Sequence, residues 1–306
     1  MLNAQSFDGP VGSPGCKAIS YDSTIIKSWA TTVYETVRGP MDVAQPELGN
    51  ASAGEPGMAL GAAFTNGVVS LGDGGSITLG FNKAIKNNPG PDFAVFENGF
   101  SEAFLELAFV SVSSDGIHFY TFPAESESDT TLQINGFDAL DCRNIYDLAG
   151  KYKAGFGTPF DLEDLTENPY LNLNSITHVR IKDVVGFLNP GFASRDSKGR
   201  KINDPYPTAY PTGGFDLDAI GVINESISYG QPAIWPNPIT TNSIQISGLK
   251  TAETTDVQVI DTAGRIVGAW KSLTVDTSFQ IDLPAGIYYA EFNTLGKVSS
   301  QKLVVL

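Results

Sequence analysis

The sequence holds only two cysteines and two histidines among its 306 residues. Cys16 and Cys142 stand far apart and no CxxC occurs, which excludes a zinc site built from thiolates. The pair is compatible with one disulfide in an exported protein and equally with two separate buried thiols. His118 and His178 lie near no GxSxG elbow and no HExxH helix, so neither announces catalysis; each reads as a strand-surface or hydrogen-bonded residue. Long apolar runs are missing too: none approaches the ~18 residues needed to cross a bilayer. Basic residues are scarce, with 19 Lys and Arg against 34 Asp and Glu, a net charge of −15 and a pI of about 4.4. Such a surface repels nucleic acid and anionic membranes, whose phosphates need clustered Lys and Arg. The one basic cluster, SRDSKGRK with Arg195, Lys198, Arg200 and Lys201, reads as a solvated loop.

What is present is glycine, 32 residues, and proline, 18, within a chain that is 42% hydrophobic. Helical periodicity is rare. Short Val/Ile/Phe/Thr runs bounded by Gly, Asn, Asp and Pro recur throughout, which predicts an all-β protein. SITLGF (76–81) alternates polar and apolar residues. DFAVFE (92–97) is nearly all apolar, as a central strand covered on both sides must be. LELAFVSVSSDG (105–116) ends in an Asp-Gly turn, from which IHFYTF (117–122) returns as the second strand of a hairpin. THVRIKDVVG (177–186) and FDLDAIGVI (215–223) complete the larger set. After about residue 226 the pattern lapses, and short alternating strands resume at Trp235. The chain from there on carries a charge of −1, and the part before it −14. The organisation read from this is a residual signal-peptide end at 1–4, a large β-domain at 5–226, a linker at 227–234 and a small β-domain at 235–306.

Two loops of the large domain, 148–165 and 187–214, are long, and loops of this length inside a compact domain are functional or disordered. Their aromatic content argues against disorder. Aromatic faces stack on sugars and flat ligands, which makes Trp29, Phe100, Tyr152, Tyr206 and Tyr210 candidate ligand-binding residues. Tyr206 and Tyr210, in DPYPTAYPTGG, are the pair expected to be exposed. The competing reading is that such rings fasten long loops to the sheets.

The stretch GGFDLDAIGV places Asp216 and Asp218 at the head of a buried strand. Residues two apart share a strand face, so both are expected on the face of Ile220 and Val222. With Glu97, Asn98 and Asp183, also at strand ends, they form a set of hard oxygen donors suited to a structural Ca2+. The alternative is structural hydrogen bonding, with Asp216 accepting from the Gly213-Gly214 turn and Asp218 paired to Arg180.

Two resemblances add to this. WPNP (235–238), VQVIDTAGRIV with Asp261, Gly264 and Arg265, LPAGIYYAEF (283–292) and the closing KLVVL resemble the type A sorting domain of the Bacteroidetes type IX secretion system. Trp235 stands where that family more often has Tyr or Phe. The resemblance implies a small immunoglobulin-like β-sandwich, contact with the secretion machinery, and release or attachment at the outer-membrane surface. The phrases VVSLGDGGSITLGF, DFAVFENGF, FLELAFVSVSSDG, LAGKYKAGFGTPFDLEDL, INDPYPT and GGFDLDAIGVI resemble a family of bacterial cell-surface proteins of unsettled function. Their order is similar to the galactose-binding-like jelly roll, which implies a jelly-roll sandwich with binding loops at one end and, in many members, a structural Ca2+. The expectation is a secreted, surface-displayed, non-catalytic binding protein for a glycan. The alternatives are a nutrient-capture protein, for a cobalamin for example, serving an outer-membrane transporter, a calcium-assisted carbohydrate-active enzyme, and a structural adhesin.

Overall fold

The computed structural model describes residues 7–168, 170–226, 232–235, 237–240, 242–249, 253–275 and 277–306. The expected signal-peptide end at 1–4 and most of the linker at 227–234 lie outside the described residues. The chain divides into two compact units, one of residues up to 114 with 118–226 and one of 115–117 with 227–306. Among the described residues every regular element is a strand or a short 3-10 turn, so the protein is all-β.

Seven strands of five or more residues build the first unit: β1 (Thr32–Val37), β2 (Ser76–Ile85), β3 (Phe93–Glu97), β4 (Ala108–Ser113), β5 (Phe156–Phe160), β6 (Ile176–Asp183) and β7 (Asp216–Val222). One antiparallel sheet has the order Ile19–Ser20, β5, β3, β7, Ser28–Trp29, with Val69–Ser70 also paired to β7. The other has Leu148–Ala149, β4, β6, β2, β1, with Tyr120–Thr121 on β4. From β2 to β4 and again from β5 to β7, consecutive strands alternate between the sheets. One core of Ile77, Leu79, Phe93, Val95, Val110, Val112, Val179, Ile181, Leu217, Ile220 and Val222 lies between them. Burying each such side chain stabilises the fold by about 1.5–3 kcal/mol.

The apolar run DFAVFE behaves as its composition requires. Phe93 and Val95 face that core. Ala94 and Phe96 face the other way, into a smaller cluster with Ile19, Ala63 and Ala219, where Trp29 and Ile26 also pack. The SSDG turn forms as expected, with Gly116 at φ 75° and Asp115 accepting from the Ile117 amide at 2.8 Å. Its return strand is shorter than expected: only Tyr120–Thr121 pairs with β4, because Ile117 and His118 are exposed and have no core to face.

Among its described residues the second unit has seven strands: β8 (Ala233–Trp235), β9 (Ser243–Ser247), β10 (Thr255–Asp261), β11 (Ile266–Leu273), β12 (Thr277–Gln280), β13 (Gly286–Thr294) and β14 (Lys297–Val305). They form antiparallel sheets ordered β8-β9-β12 and β11-β10-β13-β14, closed over Ile244, Ile246, Val257, Val259, Ala290, Phe292 and Leu303. The motifs of this segment have mechanical roles. Asn237 is buried; its amide donates to Lys302 O at 2.8 Å and its carbonyl oxygen accepts from the Val304 amide at 2.9 Å. The start of the unit is thereby sewn to its last strand. Asp261 accepts from the amides of Ala263 and Arg265, each at 2.9 Å, and from Arg265 Nε at 2.7 Å. Gly264 supplies the left-handed residue of that turn at φ 79°. The Tyr288 hydroxyl donates to Pro284 O at 2.9 Å.

Candidate ligand-binding site

One end of the first sandwich gathers acids. β3 and β6 finish there with Glu97 and Asp183, and β7 begins there with Asp216. Glu106 arrives two residues before β4, and Asp73 three before β2. All five are at least nine-tenths buried, and so is Asp204 from the long 187–214 loop. Three of these acids tie distant backbone together: Asp73 accepts from the Val43 amide at 2.7 Å. Asp183 accepts from the Gly74 and Phe215 amides at 2.8 and 2.7 Å, and Asp204 accepts from the Leu107 amide at 3.1 Å. Glu97 accepts from the Gly99 amide at 2.7 Å through one oxygen. Its other oxygen, Oε1, is buried without a partner, as is Asp216 Oδ1.

Burial, and then mutual repulsion, raises these carboxyls. Glu97 is pushed well above the usual range by desolvation and then by Asp216. Glu106 is pushed likewise by desolvation and then by Glu97, Asp216, Asp204 and Asp183. Desolvation brings Asp216 to about 6, against weaker opposing help that includes Arg38. An uncompensated cluster of this kind marks a candidate functional site.

Above the acids lies a groove of about 420 Å³ with Glu106 and Asp216 in its lining. Its rim carries a run of rings. Phe100 and Phe104 have centroids 5.4 Å apart, Phe104 and Phe137 6.0 Å, and Phe137 and Tyr210 6.3 Å. Phe100 is 79% exposed, Phe137 72% and Tyr210 52%. Four loops supply the lining, and the approach of two of them depends on glycine at Gly136, where a Cβ would stand 2.3 Å from Pro207 O.

The structure brings some of the expected residues together and disperses others. Phe100, Tyr210, Asn98 and Asp216 line the groove. Tyr206, expected to be exposed, is buried: its ring stacks on Phe187 at 4.4 Å and its hydroxyl donates to Asp42. Tyr152 is buried as well, its hydroxyl on Asp8. Both rings can sit inside because a carboxylate meets the hydroxyl. Trp29 is half-buried against Phe96, with centroids 5.4 Å apart.

Asp216 and Asp218 do not share the face of Ile220 and Val222. The register slips between Leu217, opposite Glu97, and Ala219, opposite Phe96. Asp218 is the extra residue of this bulge, which re-aims the chain. Leu217 joins Ile220 and Val222 in the core and Asp216 falls on the other side. Asp218 accepts from the Phe64 amide at 3.2 and 3.1 Å, and Arg180 pairs instead with Glu35 at 3.3 Å. The amide of Phe215, beside the Gly213-Gly214 turn, is taken by Asp183, not Asp216. Among the described residues, no three His, Cys, Asp or Glu side chains form a set that could hold a metal ion by themselves. Cys16 and Cys142 are free thiols, and burial pushes that of Cys142 up to about 11. The basic cluster is tied down by acids and carbonyls: Arg200 meets Asp196 at 2.7 Å and Glu125 at 3.3 Å, Lys198 meets Glu125 at 2.5 Å, and Arg195 and Lys201 donate to Gly199 O and Leu188 O.

Sequence reasoning missed Glu106 and Phe137. Glu106 stands between Leu105 and Leu107, a charge inside an apolar run, which is the signal that Asp216 and Asp218 also give. Phe137 is a lone ring in the polar loop NGFD, with nothing in the sequence to link it to Tyr210.

A second concavity, of about 540 Å³, lies elsewhere on this unit and includes Asp147, Lys151, Tyr152 and Asp164. Lys151 is buried and bound to Asp8 at 2.6 Å. Asp147 holds a left-handed backbone, φ 51°, and its Oδ2 is buried without a partner. Burial and then Asp164 push its carboxyl up to about 7, against Lys17 and Lys151.

Comparison with known proteins decides the second unit. Residues 233–306 match the family model described as "Secretion system C-terminal sorting domain". The C-terminal unit is a type IX secretion sorting domain. The protein is therefore exported by the type IX machinery and is either attached to the cell surface or secreted. No helix of the described residues is long and apolar enough to cross a membrane.

Among solved structures, the chain is similar to PorZ, a surface component of the type IX secretion system of Porphyromonas gingivalis. The identity is 18%, over 29% of this chain and 14% of that one, with a TM-score of 0.23. A biofilm-associated protein BSP domain matches at 14% identity over 79% and 52%, TM-score 0.20. The β-glucuronidase 3 of Bacteroides uniformis matches at 11% over 91% and 35%, TM-score 0.23. At these TM-scores the likenesses carry no argument about the first unit. Among curated proteins none matches the chain.

Proposed function

We propose that this protein is a surface-displayed, non-catalytic binding protein and that the groove under Phe100, Phe104, Phe137 and Tyr210 captures a glycan. The observation that supports this reading is the row of rings: three of the four are more than half exposed, yet each stands near the next. Large aromatic faces held side by side in water lose the stabilisation that burial would give, and such patches mark binding surfaces. Sugar rings present one apolar face that stacks on aromatics and hydroxyls that donate to acceptors. The groove offers both, with rings on the rim and carboxyls on the floor. The sorting domain at the other end of the chain puts the groove where extracellular glycans are met.

The test is a glycan array with the full chain, followed by calorimetry on the best binder. Phe137→Ala and Tyr210→Ala are each expected to weaken binding at least tenfold while the melting temperature stays that of the parent, since neither ring is in the core. Absence of any glycan binding, or undiminished affinity in both variants, would sink the reading.

A further inference from the structure

The lining of the groove has one sign of charge. Glu106 and Asp216 are in it, and among the described residues no Lys, Arg or His is. Glu97 stands behind them; its charge raises the Glu106 carboxyl, and Asp216 raises that of Glu97. Arg38 offsets part of this charge at Asp216, but its guanidinium is engaged by the carbonyls of Ala53, Ser70 and Gly54. Two oxygens of the cluster, Glu97 Oε1 and Asp216 Oδ1, are buried and accept nothing. Leaving a buried acceptor unmatched costs stability, and more when the acceptor is charged. Of the two residues only Asp216 lines the groove; a ligand whose donor meets its carboxyl recovers part of that cost, and one carrying positive charge also relieves the repulsion among the acids.

We propose that the groove selects an amine-bearing sugar, with its ammonium group seated on Glu106 and Asp216 and its ring on Phe137 and Tyr210. This rests on the glycan reading above and narrows it by charge: uronic, sialic and sulfated sugars are rejected by the same acids that hold the amine. Specificity here comes from repulsion of the wrong partner as much as from attraction of the right one.

The experiment is calorimetry on the full chain at neutral pH and low salt with four tetrasaccharides and one salt. The sugars are a fully deacetylated chito-tetraose, its N-acetylated form, cellotetraose and a hexuronate tetramer, and the salt is calcium chloride. The deacetylated tetramer is expected to bind at least tenfold more tightly than the acetylated form and cellotetraose, and the hexuronate not to bind. Glu106→Gln and Asp216→Asn should each cut the affinity for the deacetylated tetramer at least tenfold; because each replaces a carboxyl whose ionised form burial disfavours by a neutral group of the same shape, the fold should tolerate both, as a thermal melt would show. Equal or tighter binding of the neutral sugars overturns the proposal and leaves the glycan reading standing. An unchanged preference in both variants also overturns it. Tight Ca2+ binding that recruits the hexuronate overturns it too, replacing the ammonium by a metal ion. Failure of all four sugars overturns the proposal, and the glycan reading then stands or falls on the array alone.

Discussion

Replacing Asp147 with Asn is expected to make the protein more stable, although it removes a charged residue that lies near two lysines. The backbone at Asp147 is left-handed, φ 51°, a conformation that Asn accepts as readily as Asp. The carboxyl has a buried oxygen without a partner and is raised from 3.8 to about 7 by burial and by Asp164, despite Lys17 and Lys151. Each unit of that shift corresponds to about 1.4 kcal/mol. Since the side chain is only partly buried, the penalty for holding it ionised at pH 8 is set at about 2–4 kcal/mol.

The sign follows from proton binding. Between pH 3.8 and 7 the folded state holds more protons at this site than the unfolded state, so the site's penalty grows as pH rises and vanishes as pH falls. Parent protein should therefore gain roughly 1–2 kcal/mol from this one group on going from pH 8 to pH 5, the rest of the penalty being lifted only as pH falls on to 3.8. The side-chain amide of the Asp147→Asn variant does not titrate, so the variant should lose that part of the slope and exceed the parent at pH 8. Lys151 keeps Asp8 at 2.6 Å and is not stranded by the change. Urea unfolding of both proteins at pH 5 and pH 8, followed by circular dichroism and tryptophan fluorescence, gives the comparison. A variant less stable than the parent at pH 8, or one with the parent's full pH slope, would refute the reasoning.

Three further outcomes are expected. Tyr206→Phe should destabilise the first unit by about 1.5–3 kcal/mol, because Asp42 loses the hydroxyl it accepts from inside the protein; Tyr210→Ala, on an exposed ring, should shift the urea midpoint little. Asn237→Ala should lower the stability of the sorting unit by about 2 kcal/mol, one hydrogen bond to Lys302 and one from Val304 being lost, as read from its own calorimetric transition. Deleting residues 233–306 in a host with a type IX system should leave the protein in the periplasm, and surface labelling of the truncated form would contradict that.

The sequence by itself determined the class of fold, the route of export and the place of those strands whose pattern is plain; β5 lies inside the stretch 148–165 that reads as a loop, because FGTPF shows no alternation. Period-two alternation, an all-apolar DFAVFE and turn residues at Asp115-Gly116 and Gly264 act over a few residues, so they are legible in a short window. The sorting motifs are legible for the same reason: Asp261 caps its own turn and Tyr288 bonds four residues back. Even there, local reading failed where a partner strand intervened. The face of Asp216 depends on a one-residue slip against β3, and alternation along β7 alone cannot show it.

Only the tertiary structure decided the site. Glu97, Glu106, Asp183, Asp204 and Asp216 come from five places in the chain and act on one another only because strand ends and a long loop converge. Burial of a tyrosine is likewise not a local property. Tyr206 and Tyr210 sit in one proline-rich phrase, yet Asp42, 164 residues away, draws the first inside and nothing draws in the second. Exposure, charge repulsion and the run from Phe100 to Tyr210 are properties of distances across the fold, and those distances are set by packing.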